Sequence, residues 1–133
     1  MSGAILRPAG LPVKDRGGGI RTIPLVTAKL GSRSMLNGIT TLDPGAAVPL
    51  HTHNCEESVV VLSGHARACI DGVETDLVAR DTTWIPAGVP HFFCNISDSE
   101  PLSILWTYAS IDATRTIVAT GVTTRIDEER GTI

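Results

Sequence analysis

The chain has 133 residues, 42% of them apolar and 19% charged, and its 11 Lys and Arg against 14 Asp and Glu give a formal charge of −3. A domain of this length buries roughly two thirds of the surface its unfolded form exposes, so it needs neither a disulfide framework nor a structural metal to hold together. The mild acidity, the lack of any Lys/Arg run and the lack of an apolar stretch near the roughly 18 residues of a membrane span argue against nucleic acid and membrane as partners.

Residues 1–19 are punctuated by Pro8, Gly10, Pro12 and Gly17-Gly18-Gly19, a pattern that predicts a flexible arm. From Ile20 onward, short runs rich in Val, Ile, Leu and Thr alternate with turn signals, at residues 21–30, 35–42, 58–62, 66–70, 73–78, 82–85, 91–96 and 102–108. Such a series predicts an all-β domain over residues 20–120, either a sandwich or a barrel. Two turns have a local cause: Asp71-Gly72 supplies the positive φ of a two-residue hairpin, and Leu42-Asp43-Pro44-Gly45 combines a preset φ with a permissive one. No segment keeps apolar residues at helical spacing over three turns, so helix is a minor component. Residues 121–133, with Asp127-Glu128-Glu129-Arg130, read as a solvated tail. Three cysteines, Cys55, Cys69 and Cys94, read as reduced thiols, and with no leader-like segment the expected address is the cytoplasm.

The chemistry lies in the histidines. His51 and His53 are two apart, Glu57 follows, and His91 stands in a later β-like run. In a strand, residues i and i+2 share a face, so His51 and His53 point the same way; Glu57 can join them, and a closed sheet lets the face of His91 oppose theirs. Three imidazoles and a carboxylate converging inside a barrel make a first-row transition-metal site. His65 lies outside this pattern and reads as a surface histidine.

In full, Gly45, His51, His53, Glu57 and Gly64 are followed by Pro86, Gly88, His91 and Asn95. This spacing resembles the two signature motifs of the cupin superfamily, with about fifteen residues between them. The first motif matches at every defined position; the second departs once, where Arg80 stands for the family's leading Gly at a position that shapes a turn and binds nothing. The resemblance implies a jelly-roll barrel (a double-stranded β-helix) in which His51, His53, Glu57 and His91 are the metal ligands. Gly45, Gly64 and Pro86-Ala87-Gly88 are then turn positions, and Asn95 a strand residue that bonds backbone.

A divalent ion with three neutral imidazoles and one carboxylate carries a net charge near +1, and four protein ligands on a six-coordinate metal leave two adjacent positions. Such a centre favours an anionic oxygen chelate: a 2-oxo acid, an enediolate, a hydroxy acid or a β-diketonate. Manganese, iron, nickel, cobalt and zinc all suit the donor set. Cys55 shares the ligands' face by strand parity and would shift the preference toward zinc or copper, whereas Cys94 faces away from His91, and Cys69 and Cys94 both read as small buried hydrophobes. The pocket wall draws on Asn37, Thr41, Arg67, Trp84, Phe93, Trp106 and Tyr108, none of which stands out as a general acid or base; Glu56 reads as solvated. The expected function is a metal-dependent enzyme of the dioxygenase, decarboxylase or isomerase type acting on a small oxygenated organic acid or diketone. The alternative is a non-catalytic cupin that binds or senses a small molecule or metal. Small cupins commonly pair, so a homodimer is expected, with residues 21–30 the place to look for an exchanged strand.

Overall fold

Alternation of buried and exposed side chains is what makes these segments strands. The computed structural model describes residues 2–128, and in its two most regular strands, Leu36–Leu42 and Leu102–Tyr108, every second residue is buried. The described strands are β1 (Lys14–Gly17), β2 (Ile20–Pro24), β3 (Leu36–Leu42), β4 (His51–His53), β5 (Glu57–Ser63), β6 (Ala66–Ile70), β7 (Val73–Leu77), β8 (Thr82–Ile85), β9 (His91–Asn95), β10 (Leu102–Tyr108), β11 (Thr114–Ile117) and β12 (Thr123–Arg125). They form two antiparallel sheets of a jelly-roll barrel, ordered β1-β2-β3-β10-β5-β8 and β12-β11-β4-β9-β6-β7. Among the described residues no helix is long and apolar enough to cross a membrane.

The largest fully buried side chains are Leu42, Ile85, Leu102, Val59, Val61 and His91: five hydrocarbons and one imidazole. The hydrocarbons come from the first sheet and the imidazole from the second. Asn95 ties the sheets together away from the histidines, its Nδ2 donating to the carbonyls of Leu42 (3.0 Å) and Glu100 (2.8 Å) while its Oδ1 accepts from the Ser97 N–H (2.9 Å).

Three expectations change. The anticipated arm contributes β1, which pairs with β2 through a turn in which Gly17, Gly18 and Gly19 all take positive φ, so the glycines make a hairpin rather than a hinge. The anticipated tail contributes β12, paired with β11; residues 129–133 lie outside the described residues. The run expected over residues 21–30 stops at Pro24, where Asn37 takes over, its Oδ1 accepting from the Val26 N–H at 2.8 Å. The Asp71-Gly72 hairpin has φ of 51° and 80°, as a type I′ turn requires. Arg80, at the position where the motif has Gly, also keeps a left-handed backbone, with φ of 78°. The turn it shapes closes through the Arg80 N–H to the Val61 carbonyl (2.7 Å) and the Val78 N–H to Asp81 Oδ2 (2.9 Å).

Candidate metal centre

Strand register brings the histidines together. On β4, His51 and His53 point inward, and His51 lies directly opposite His91 of β9. The His51 and His91 rings stand 4.2 Å apart between centroids, and His53 lies 4.7 Å from His51 and 5.0 Å from His91. One potential ligand atom from each of the three falls within 4.8 Å of the others, and all three residues are buried. Glu57 reaches them from the opposite sheet, at the start of β5, where it is in register with Tyr108 on one side and Ile85 on the other. Its Oε1 lies 3.0 Å from His91 Nε2 and 3.3 Å from His53 Nε2. All four residues singled out in the sequence therefore meet at one place.

Each imidazole is aimed by its other nitrogen. His51 Nδ1 faces the Pro49 carbonyl at 2.6 Å, His91 Nδ1 the Val89 carbonyl at 2.8 Å, and His53 Nδ1 the Thr114 carbonyl at 2.8 Å. A carbonyl can only accept, so Nδ1 carries the proton in all three rings and Nε2 is the nitrogen left to the interior. Two of these bonds are local, to the residue two before, and depend on the turns that precede the strands. The turn at Pro86–Val89 has Gly88 at φ +80° and is held to β4 by the Gly88 N–H donating to the His53 carbonyl (2.9 Å). The third bond is long-range. Asn54 sets it, accepting from the Thr114 N–H (2.8 Å) and donating to the Asp112 carbonyl (3.1 Å), so that β11 lies where Thr114 can receive His53.

The electrostatics fit a cation. Burial, reinforced by the neighbouring His91 and His53, pulls His51 from 6.5 down to about 3, so it is a neutral donor at physiological pH. Burial alone would raise Glu57, but the His53 and His91 imidazoles outweigh it and hold the carboxyl at about 2. With Nδ1 of His91 protonated toward Val89, its short Nε2 contact to Glu57 requires one further proton, which a bound cation would displace. Among the described residues His53 Nε2, fully buried, has no hydrogen bond, although Glu57 Oε1 lies 3.3 Å away. A buried imidazole nitrogen without a hydrogen-bond partner, beside a carboxylate and two further imidazoles, is what a metal ion satisfies.

A cavity of about 350 Å³ opens beside the cluster, lined by His51 and Glu57 and by Leu36, Phe93, Trp106 and Tyr108. Tyr108 packs edge-on to His53, centroids 4.6 Å apart, and Trp106 lies 5.2 Å from Tyr108. Gly38 makes room for this wall, since a Cβ there would stand 2.4 Å from the Trp106 ring.

Among the pocket-wall residues named from sequence, Asn37, Phe93, Trp106 and Tyr108 line the cavity; Thr41, Arg67 and Trp84 do not. Arg67 pairs on the surface with Asp76, and the exposed Trp84 donates to Glu56 on the outside of the barrel. Cys55 does not join the cluster, because residues 54–56 form a turn and strand parity does not carry through it. Burial pushes its thiol up, away from the thiolate a metal would need. Cys69 and Cys94 are half-buried on the outer side of their strands rather than in the core, and His65 is exposed. The sequence reading missed Asn54 and Thr40. Counting the alternation from Leu36 and Leu42 would have placed Thr40, not Thr41, inside.

Comparison with known proteins agrees with this architecture. A family described as Cupin domain matches residues 38–108. The chain is 33% identical over 90 residues, 67% of its length, to the polyketide synthase CurC of Streptomyces cyaneus, and it spans 58% of that relative, less than two thirds. Among solved structures, the polyketide cyclase RemF of Streptomyces resistomycificus superposes with a TM-score of 0.74 at 14% identity, covering 95% of this chain and 86% of that one. A predicted oxalate decarboxylase of Thermotoga maritima gives 0.72 at 22% identity, covering 80% and 99%.

Proposed function

The chain belongs to the cupin domain family, and from that membership we propose that it is a metal-dependent enzyme acting on a β-dicarbonyl unit of a polyketide-like molecule, by enolisation leading to ring closure. The observation that carries this reading is the meeting of three inward Nε2 atoms and the Glu57 carboxylate at the wall of an apolar cavity. His51, His53, His91 and Glu57 would hold one divalent transition metal, among which Mn, Fe, Co, Ni and Zn all suit nitrogen and oxygen donors. Such an ion supplies Lewis acidity toward a chelated pair of oxygens, which stabilises the enolate form of a 1,3-diketone.

The protein's own part is orientation and exclusion. The three Nδ1 bonds to backbone carbonyls hold the rings in one tautomer, so no reorganisation is needed when ligand arrives. Phe93, Trp106, Tyr108 and Leu36 give the cavity an apolar wall beside the centre, against which electrostatic contacts are stronger than in bulk water. Lys14 and Lys29 also line it, and cationic groups at the wall suit an anionic or enolisable ligand. The named likenesses to a polyketide synthase and a polyketide cyclase support β-dicarbonyl chemistry over the oxalate-sized substrate named for the Thermotoga relative. A cavity of about 350 Å³ is large for a two-carbon diacid and lies at the small end of the range for drug-sized organic ligands.

The test is deuterium exchange at the central carbon of a 1,3-diketone, followed by NMR with oxygen uptake recorded in parallel. Metal-dependent acceleration of exchange without oxygen consumption is the expected result. Oxygen consumption would redirect the reading to dioxygenation, and tight binding with no acceleration would make the protein a binding module.

A further inference from the structure

The far end of the cavity holds a second polar group that the metal centre does not use. Thr22 of β2 and Thr40 of β3 are a directly opposed cross-strand pair, 7% and 3% exposed, and both line the cavity. Their hydroxyl oxygens are 2.9 Å apart, and Trp106 Nε1 donates to Thr40 Oγ1 at 2.8 Å.

Counting hydrogens exposes a surplus. The trio brings three donors: the indole N–H and two O–H groups. The indole hydrogen goes to Thr40, and one hydroxyl hydrogen is used between the threonines. The other hydroxyl hydrogen has no acceptor among the described residues. If Thr40 donates to Thr22, the chain runs Trp106 to Thr40 to Thr22 and the unused O–H is that of Thr22; if the mutual bond runs the other way, it is that of Thr40. In either case one buried O–H at the cavity wall is left over by the described residues and is open to an oxygen of whatever occupies the cavity.

The position is set by register. Leu36 pairs with Tyr108, and Tyr108 with Glu57, so these three lie at the level of the metal centre. Thr40 is four residues further along β3, about 13 Å in the strand direction at the usual rise. The two polar ends are separated by the Trp106 indole, which lies over Gly38 as a flat apolar floor.

We infer that Thr22 and Thr40, ordered by Trp106, form a hydrogen-bond-donating subsite for an oxygen of the ligand remote from the pair held at the metal. The ligand class is thereby narrowed to elongated, flat molecules oxygenated at both ends, such as an extended polyoxo chain or its aromatic product. This rests on the reading of the centre as a β-dicarbonyl chelator.

The test compares two probes on zinc-loaded protein: 1-phenylbutane-1,3-dione and its 4′-hydroxy analogue, which differ only in a distal oxygen. Binding is followed by the ultraviolet band of the chelated diketone. Wild type is expected to prefer the hydroxylated probe about tenfold, the worth of one good buried hydrogen bond. Thr22→Val should bring the ratio of the two affinities to about one, and Thr22→Ser should restore it. Thr40→Val provides a second route if the first variant folds poorly. A merely structural role for the pair would weaken both probes alike and leave the ratio intact, and that result, or an absence of preference in wild type, overturns the subsite. If neither probe chelates in wild type, the functional reading itself falls and the subsite with it.

Discussion

The two sheets divide the work unequally. The first, containing the seven-residue strands β3, β5 and β10, has the longest ladder, β3 with β10, and supplies Leu42, Val59, Val61, Ile85 and Leu102 to the core, yet contributes only Glu57 to the centre. The second supplies all three histidines, two of them from a strand of three residues that meets β9 through the single rung His51 to His91. On its other edge β4 is paired along all three residues with β11, and side chains then fix the rings: three Nδ1 bonds to carbonyls, and Asn54 bracketing Asp112 and Thr114. The difference teaches that stability and ligand geometry are set in different places, so each can be perturbed without the other.

The sharpest way to break that separation is a pair of variants. His53→Ala should weaken metal binding by more than the roughly 10- to 100-fold that loss of an outer hydrogen bond costs, and abolish turnover with it; equilibrium dialysis and the exchange assay measure both. Leu42→Ala, in the first sheet, should cost about 2–5 kcal/mol by chemical denaturation while the folded protein keeps its metal affinity. Loss of metal in the second variant, or full activity in the first without metal, would show that the sheets are not specialised as described.

Acid should act mainly on the histidine-bearing side. In the metal-free chain His51 has a folded value of about 3 against 6.5, and Glu57 about 2 against 4.5. Both groups bind protons more readily when unfolded, so their stabilisation is complete above pH 6.5 and is lost as pH falls through 3 and then 2. Denaturation of the metal-free protein near pH 4.5 should therefore show lower stability than at neutral pH, and a flat profile would contradict the burial of a neutral His51.

Asn54→Ala should leave all four ligands present but release Thr114 from its place opposite His53, lowering metal affinity about 10- to 100-fold with a small change in melting temperature. The smallest effect is expected in the turn that joins β7 of the second sheet to β8 of the first. Arg80 bears the cost of a left-handed backbone, about 1–2 kcal/mol for a residue with a Cβ, and Gly brings back part of that as chain entropy. Arg80→Gly should stabilise the fold by about 0.5–1 kcal/mol without altering metal binding, readable as a rise in melting temperature.

Much of this was legible in the sequence because alternation and turn chemistry are local. The strands at Ala66–Ile70, Thr82–Ile85 and Leu102–Tyr108 stand where their apolar runs predicted, and His-x-His with Glu57 and His91 is readable by spacing. What escaped is non-local. β1 and β12 are polar, with patterns such as Lys-Asp-Arg-Gly and Thr-Thr-Arg that carry no periodic signal, and they are strands because β2 and β11 offer them an edge. Asn54 matters only through residues some sixty positions away, and Thr22 and Thr40 only through their opposition across a ladder and the indole of Trp106.

The central claim is that His51, His53, His91 and Glu57 together hold a transition metal. Elemental analysis of the protein purified without added metal, repeated after chelation and reloading, tests it most directly. About one manganese, iron, cobalt, nickel or zinc ion per chain is expected, recovered on reloading and absent from the His53→Ala variant. A chain that carries none and takes up none from an excess of any of the five would contradict it.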